Sequence, residues 1–269
     1  MEVVSIKQVS FIGAGNVAYN LAPALFKAGI RIQHIISRNQ PKAQRLATML
    51  NADASTDISV IDKSADAVFL TLPDDVILDV AERLASNNNF SGLVIHTSGS
   101  TALDDLLQTG LNAGVFYPLQ SFTRDATLNF KEIPVCIEGG NEHITHALEG
   151  LARLISDDVR QITSAQRAII HLGAVFASNF TNHLYARAFD ILRQSGVEPS
   201  ILLPLIKETA KRLNCKEPVQ LQTGPAVRGD KRIMNKHLDM LTNDAGGTEI
   251  YRLFSELIQL LQKKEMKNE

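Results

Sequence analysis

A glycine-rich turn near the start of the chain has the residue types that bind a diphosphate. It follows the apolar run Val9 to Ile12 and fits the pattern G-x-G-x-x-A, which ends at Ala18. The first glycine of this pattern permits a tight turn, the second lets a pyrophosphate approach the backbone, and the alanine allows close packing of helix on strand. We expect a nicotinamide dinucleotide to contact Gly13, Ala14, Gly15, Asn16 and Val17. The alternative is a glycine turn that binds nothing.

The end of the second predicted strand indicates which dinucleotide would bind. An acidic residue there would accept hydrogen bonds from the ribose hydroxyls of NAD, but the residues present are Ser37, Arg38 and Asn39. A guanidinium grips a phosphate with two parallel hydrogen bonds, so we expect Arg38 to hold the 2′-phosphate of NADP. The alternative is an exposed basic helix start.

Two further loops follow apolar runs that read as buried strands. Ligands of an open parallel sheet bind at the carboxyl ends of its strands, so these loops are expected to line the nicotinamide half of the cofactor. The expected contacts are Leu72 and Pro73 in the first loop and Thr97, Ser98 and Gly99 in the second. The neighbouring Asp74 and Ser100 have helix caps as their alternative role.

A polar stripe runs along a long apolar helical pattern in the second half of the chain. At about 100° per residue, His171, Ser178 and Asn182 share one arc of the helix, and Asn179 lies on its flank. In a cleft, His171 would protonate a developing alkoxide or amine while Asn179 and Asn182 orient the substrate or the carboxamide. A buried polar network or a polar dimer contact is the alternative.

The segment from Thr223 to Asp230 is rich in turn residues and contains Arg228, which could meet an anionic substrate. Asp230 is expected to cap a helix that extends to Leu241. On that helix His237 is a second candidate acid, although a structural role is the alternative for both Arg228 and His237.

The elements that must position these residues change in character along the chain. Its first part alternates short apolar runs with helical patterns, which is typical of an α/β fold with a Rossmann-type, doubly wound parallel sheet. The predicted strands are 9–12, 31–37, 67–72, 93–96, 114–117 and 133–137, and the predicted helices are 17–28, 41–50 and 142–154.

After residues 155–163 only helical patterns are found, at about 164–195, 198–213 and 248–264. We therefore predict a dinucleotide-binding domain over residues 1–158 and an all-α domain over residues 159–269. In the last helix an apolar stripe is expected to pack in the core of its own domain, with a dimer contact as the alternative; it consists of Ile250, Leu253, Phe254, Leu257, Ile258 and Leu261.

Composition excludes several classes of protein. The 27 basic and 29 acidic side chains give a net charge of −2, which argues against binding to nucleic acid or to an anionic membrane. Cys136 and Cys215 have no second ligand at metal spacing, so no metal site is predicted and a reducing compartment is favoured. The opening residues Met1–Ser5 lack a basic segment leading into an apolar one, so we expect a soluble, cytoplasmic protein.

Several stretches resemble known families. The opening VSFIGAGNVA, with Ser37-Arg38 after the second strand, resembles pyrroline-5-carboxylate reductases and relatives of deazaflavin-dependent NADP reductase. Residues 117–122, 171–182 and 223–230 resemble Rossmann-like proteins of unassigned activity, whose helical C-terminal domain is similar to that of 6-phosphogluconate dehydrogenase. The resemblance implies NADP as the cofactor and a homodimer formed through the helical domain. It supplies no substrate.

One residue departs from the pattern of the related β-hydroxyacid dehydrogenases. They carry G-x-x-x-x-x-K-x-x-N on the first long helix, and Gly173 and Asn182 match it, but Asn179 stands at the lysine position. An amide cannot shuttle a proton as an ammonium does. From the dinucleotide motif and the resemblance we expect an NADP-dependent oxidoreductase that transfers hydride between the nicotinamide and a small polar carbonyl, imine or hydroxy compound. Because Asn179 stands at the lysine position, a non-catalytic NADP-binding sensor or interaction protein is the alternative.

Overall fold

The chain forms two compact units, Met1–Asn179 and Phe180–Glu269. The computed structural model describes residues 6–62, 64–86, 90–124 and 128–268, and for 265–268 only the helical backbone. The opening residues Met1–Ser5, from which a soluble, cytoplasmic protein is predicted, lie outside the described residues. The first unit ends about twenty residues after the predicted boundary at 158/159, because it also includes the helix that carries His171.

An eight-stranded sheet with the order β3-β2-β1-β4-β5-β6-β7-β8 forms the centre of the first unit, as far as the structure describes it. All neighbouring strands are parallel except β6 and β7, which are antiparallel. The strands are β1 (Gln8–Ile12), β2 (Arg31–Ile36), β3 (Asp53–Ser55), β4 (Ala67–Leu70), β5 (Leu93–His96), β6 (Ala113–Pro118), β7 (Val135–Gly139) and β8 (Val159–Gln161).

Helices cover both faces of this sheet. They are α1 (Asn16–Lys27), α2 (Gln40–Leu50), α3 (Asp74–Ala85), α4 (Leu103–Leu107), α5 (Glu142–Ile155) and α6 (Ser164–Ala174). One apolar cluster joins the sheet to α1, α2 and α5, and a second joins its opposite face to α3 and α4. The central strands β4 and β5 are buried at every position, as their apolar sequences require.

The predicted α/β class and the six predicted strands are confirmed, with bounds that shift by up to two residues. The parallel prediction is wrong for β7, which runs antiparallel to β6 after a long connection. The short strands β3 and β8 were not predicted. Each has three residues of mostly polar or small type, too few for an alternation to be recognised.

The second unit is helical throughout its described residues. Its helices are α7 (Thr181–Gln194), α8 (Leu203–Arg212), α9 (Pro225–Arg228), α10 (Lys231–Met240) and α11 (Ala245–Asn268). The predicted cap at Asp230 is confirmed, because its carboxylate accepts a hydrogen bond from the backbone N–H of Ile233 at 3.1 Å. Among the described residues no helix is both long and apolar enough to cross a bilayer.

Within the predicted helix 164–195, residues Val175–Phe180 form a π-helical segment between α6 and α7. A π-helical turn holds more residues than an α-helical one, so the regular arc predicted for the polar stripe does not continue through it. This changes the direction in which residues after 175 point.

The expectation that the stripe of α11 packs into its own core is wrong for four of its six residues. These four side chains are 43–53% exposed: Leu253, Phe254, Leu257 and Leu261. The described residues of the second unit therefore leave part of this apolar face of α11 exposed in the single chain.

Candidate functional site

A cavity of about 680 Å³ lies at the carboxyl ends of β1, β2 and β4. This is the edge of an open parallel sheet at which ligands bind. Eight of the predicted cofactor contacts line it: Gly13, Ala14, Gly15, Ser37, Arg38, Asn39, Leu72 and Pro73. The sequence motif and the cavity therefore coincide.

The two glycines of the motif occupy their positions for different structural reasons. Gly13 has φ +112°, and a Cβ there would overlap the carbonyl oxygen of Thr71, so the fold itself requires glycine. Gly15 has an ordinary φ of −86°, and a Cβ there would meet nothing within 4 Å. The fold gives no reason for glycine at 15, whereas a pyrophosphate seated against the backbone does.

The start of α1 fits an anionic ligand. Gly15 is its N-cap residue and supplies no side-chain hydrogen bond to the first turn, which also carries no acidic residue. The free N–H groups and the helix dipole both favour negative charge at this point. The residues present thus fit the diphosphate of a nicotinamide dinucleotide.

The residues after β2 separate into structural and ligand-facing groups. Asn39 caps α2 by accepting the backbone N–H of Lys42 at 3.0 Å, and the Ser37 hydroxyl accepts the N–H of Asn39 at 3.2 Å. Arg38 and Lys42 both line the cavity and leave positive charge beside it. Arg83, from α3, lines its wall as well.

Thr97, Ser98 and Gly99, in the loop after β5, are not among the residues that line this cavity, and their contact with the nicotinamide half stays a prediction. The loop folds on itself, because the Ser98 hydroxyl accepts the backbone N–H groups of Ser100 at 3.1 Å and Thr101 at 2.9 Å. The Ser100 hydroxyl in turn donates to the carboxylate of Asp74 at the start of α3. Asn16 and Val17 also lie outside the cavity lining.

Under this loop His96 is fully buried at the end of β5, and its Nδ1 accepts the backbone N–H of Ser98 at 3.2 Å. Burial, together with the charge of Arg167, lowers the pKa of His96 to about 3. The imidazole is therefore neutral at physiological pH, and acceptance at Nδ1 places its proton on Nε2.

Close packing fixes His171 on α6. Its Nδ1 lies 3.2 Å from the Tyr117 hydroxyl, at the carboxyl end of β6, and a Cβ on Gly99 would come within 2.6 Å of the same nitrogen. Gly99 is thus glycine because the imidazole rests on its backbone. Burial raises the pKa of Tyr117, so the phenol keeps its proton and can donate it to His171.

A buried ion pair holds α6 in this position. Arg167, 1% exposed, pairs with Glu138 of β7 at 2.6 Å and donates to the carbonyl oxygen of Thr101. Glu138 also accepts the backbone N–H of Ser164 at 2.8 Å. His171 lies one turn after Arg167, so this network fixes the helix face that carries the histidine.

The remaining residues of the predicted polar stripe separate. The Ser178 hydroxyl lies 2.8 Å from that of Ser121, in the segment after β6, whereas Asn179 is exposed. Asn182 is exposed on α7 in the second unit. The structure therefore places His171 against the end of β6 and Ser178 against the segment that follows it. The catalytic roles of all four residues stay predictions.

The second unit has a cavity of its own, of about 550 Å³. His237 lines it, and its Nδ1 is 2.8 Å from the hydroxyl of Tyr251. The ion pair Arg187–Asp244 forms another part of its wall. Arg228 is the exposed last residue of α9. The proposed acid and anion-binding roles of His237 and Arg228 stay predictions.

Four residues at the first unit's sites were missed by sequence reasoning: Tyr117, Arg124, Glu138 and Arg167. Each is brought to its site by strand order or by a long connection rather than by a motif, so no local pattern indicates them. Only the position of Tyr117, directly before Pro118 at the end of a predicted strand, could have drawn attention to it.

Two family models match the chain. The model described as NADP oxidoreductase, coenzyme F420-dependent, matches residues 8–98, and the model described as a domain of unknown function, DUF2520, matches residues 133–258. The first match confirms the resemblance of the N-terminal half to deazaflavin-dependent NADP reductases. The second begins at β7 and extends into α11.

Among curated proteins, the mitochondrial 3-hydroxyisobutyrate dehydrogenase of Drosophila melanogaster is 28% identical over 103 residues. That match spans 38% of this chain and 31% of the dehydrogenase. Among solved structures, a reductive aminase from Aspergillus terreus in complex with NADPH has a TM-score of 0.71 with 12% identity, over 97% of this chain and 95% of that one. This second likeness shows a shared fold.

The crystal structure of putative NADP oxidoreductase BF3122 from Bacteroides fragilis has a TM-score of 0.89 and 35% identity. The match covers 96% of this chain and 99% of that one. Together with the first family model, it confirms NADP as the predicted cofactor. The chain therefore belongs to the same family as this Bacteroides protein, a family of NADP oxidoreductases with a Rossmann-like sheet.

Proposed function

We propose that the protein transfers hydride between NADP and a small polar carbonyl, imine or hydroxy compound. The observation that carries the proposal is the open space over Gly15, at the uncapped start of α1 and beside Arg38. A dinucleotide explains glycine there, and no contact within the part of the chain that the structure describes does so. When bound, the cofactor supplies or accepts the hydride.

In this proposal Arg38 selects NADP over NAD. Its guanidinium would hold the 2′-phosphate with paired hydrogen bonds, and Lys42 would add positive charge on the same side of the cavity. The wall at the end of β2 offers Ser37, Arg38 and Asn39, with no carboxylate to accept from the ribose hydroxyls of NAD.

We propose His171 as the group that moves the proton. Its Nδ1 lies 3.2 Å from the Tyr117 hydroxyl, which would leave Nε2 as the nitrogen that meets the substrate. Ser178, Asn179 and Asn182 are kept as candidate substrate-orienting residues, as the sequence predicts. Gly99 and the Arg167–Glu138 pair would position the imidazole without touching the substrate.

The names of the relatives support this class of substrate. The Aspergillus structure is a reductive aminase with NADPH, a Pseudomonas neighbour is an imine reductase, and the Drosophila protein is a dehydrogenase of a small hydroxy acid. For this chain they favour a small carbonyl, imine or hydroxy acid over a macromolecule.

The cofactor part of the proposal is tested by calorimetry. Arg38→Ala is expected to weaken NADPH binding by about tenfold or more, since a hydrogen bond to a charged group is lost, and to leave NADH binding unchanged. Arg45→Ala is the matched control, because Arg45 is exposed on α2 and does not line the cavity. Equal losses for both dinucleotides would contradict the assigned role.

The catalytic part is tested by following nicotinamide absorbance against panels of carbonyls, imines, hydroxy acids and amines. Turnover that disappears in His171→Ala, with NADPH affinity unchanged, supports an enzyme. Tight NADPH binding with no turnover on any panel favours the second candidate, an NADP-binding sensor. That candidate is suggested by Asn179, which replaces the proton-carrying lysine of related dehydrogenases.

We further propose that the protein is a homodimer formed through the helical unit. The support is the apolar face of α11, where Leu253 and Leu261 are each 53% exposed in the single chain. Light scattering on the purified protein is expected to give twice the mass of one chain. The cytoplasmic location stays a prediction that rests on cysteine usage and on the sequence of the opening residues.

A further inference from the structure

The segment that follows β6 is fastened to the first two turns of α1. The amide of Asn16 donates to the carbonyl oxygen of Phe122 at 3.0 Å, and the amide of Asn20 donates to that of Thr123 at 2.9 Å. In the sheet, β4 and β5 separate β6 from β1. The segment therefore runs along the carboxyl edge of the sheet to reach the glycine turn.

These two hydrogen bonds place Arg124 beside the cofactor cavity. Its guanidinium carbon lies 4.6 Å from the centroid of the Tyr19 ring, and Nη2 donates to the carbonyl oxygen of Ala14 at 3.3 Å. Arg124 also lines the cavity together with Gly13, Ala14 and Gly15. Stacking on Tyr19 and the bond to Ala14 fix the plane of the guanidinium. Among the described residues this bond uses one of its five N–H groups, so a phosphate can take others.

We infer that Arg124 binds the pyrophosphate of the dinucleotide. The glycine turn offers that group backbone N–H donors but no positive charge of its own, and the pyrophosphate carries two negative charges. Arg38 and Lys42 lie at the end of β2, where the 2′-phosphate is expected. Arg124 contacts the glycine turn directly, through the carbonyl oxygen of Ala14, and a planar guanidinium suits two phosphate oxygens.

This assignment also changes the role of Asn16. The sequence predicts a cofactor contact for Asn16, and in the structure its side-chain amide donates to the carbonyl oxygen of Phe122. Asn16 and Asn20 thus act as positioning residues, which hold the segment that carries the arginine. The inference rests on the proposed function, since it requires that the cavity bind a dinucleotide.

The test separates the two phosphate sites with two ligands. NADPH carries both the pyrophosphate and the 2′-phosphate, whereas adenosine 2′-monophosphate carries only the latter. By calorimetry, Arg124→Gln is expected to weaken NADPH by about tenfold or more and to leave adenosine 2′-monophosphate unchanged, because only the pyrophosphate contact is lost. Arg38→Ala is expected to weaken both ligands.

Two further variants keep the test decisive. Arg124→Lys retains the charge without the planar fork, so its NADPH affinity is expected between those of the wild type and Arg124→Gln. Arg31→Gln removes an exposed arginine from the start of β2, at the opposite edge of the sheet, and is expected to change neither affinity. Thermal melting of each variant checks that it is folded. Because Arg124 is exposed, we expect its substitutions to leave the fold intact.

The outcomes distinguish this inference from the proposed function. If the wild type binds NADPH and Arg124→Gln binds it equally well, the assignment of Arg124 is wrong and the proposed function stands. Equal losses of both ligands in Arg124→Gln would also overturn the assignment, because the arginine would then act on the whole cavity. If the folded wild type binds no nicotinamide dinucleotide, both proposals fail together.

Discussion

The two units of the chain differ in how completely each buries its own apolar side chains. In the first unit every residue of β4 and β5 is buried, and α5 packs Leu148 against the sheet with no exposed surface. In the second unit Leu205 is 63% exposed and Met240 is 80% exposed. The central strands of the first unit are thus enclosed by its own helices, whereas the second unit leaves these large apolar side chains exposed in the single chain, as α6 of the first unit does at Ile169 and Leu172.

Ion pairs show the same difference. Arg167 in the first unit is 1% exposed and its partner Glu138 20%, while Arg187 and Asp244 in the second unit are 29% and 31% exposed. A buried charge depends wholly on its partner, but a half-exposed one is solvated when the partner is removed. The first unit therefore fixes site geometry through its interior, and we expect its variants to have the larger effects.

The largest effect is expected from Glu138→Ala. Removal of the carboxylate leaves the buried Arg167 without its charge partner, so the free energy of unfolding should fall by about 3–5 kcal/mol. Urea denaturation of the purified protein measures it. Glu149→Ala, which breaks the exposed pair with Arg153 on α5, is the control and should cost about 1 kcal/mol or less. Similar losses in both variants would remove the contrast between buried and exposed pairs.

A smaller effect is expected from His96 on acidification. Its folded-state pKa of about 3 lies below the ordinary 6.5. Between these two pH values the imidazole is therefore protonated in the unfolded chain and neutral in the folded chain. The stability from the neutral imidazole is therefore complete above pH 6.5 and is lost as the pH falls toward 3. Between about pH 7 and pH 5 the loss should be about 2 kcal/mol.

His96→Asn isolates this contribution, since an amide oxygen can accept the N–H of Ser98 without titrating. We expect the variant to lose less stability than the wild type between the same two pH values, measured by urea denaturation at each. An identical pH dependence in both proteins would mean that His96 does not titrate as its burial requires.

The sequence predicts those features that consecutive residues form, and it does not predict contacts between residues that are far apart in the chain. The glycine turn and the predicted strands are encoded in consecutive residues, and Gly13, Gly15 and Arg38 line the cavity as their motif implies. Arg124 comes to the same cavity only because a segment after β6 runs back to α1. No residue spacing in the sequence predicts that this segment returns to α1.

The second half of the chain shows the limit of periodicity. A constant 100° per residue places Ser178 and Asn182 on one face, but the π-helical segment Val175–Phe180 changes the phase between them. The hydrophobic periodicity of α11 predicts an apolar face, but periodicity does not say what covers that face. Whether the same chain or a second copy covers that face is decided by packing.

The smallest effect on the single chain, and the sharpest test of the comparison, is expected from Leu257→Ala in α11. Leu257 is 46% exposed, so its truncation should change the stability of an isolated chain by about 0.5 kcal/mol or less. Leu148→Ala is the matched substitution in a buried helix of the first unit and should cost about 2–5 kcal/mol.

Protein concentration separates the two explanations for the apolar face. If a second copy covers Leu257, the variant should dissociate at concentrations where the wild type remains dimeric, as measured by light scattering along a dilution series. Leu148→Ala should lower stability without shifting that dissociation. A wild type that is monomeric at every concentration would contradict the homodimer. The apolar face of α11 would then stay exposed to solvent, and neither unit would need a second copy of the chain.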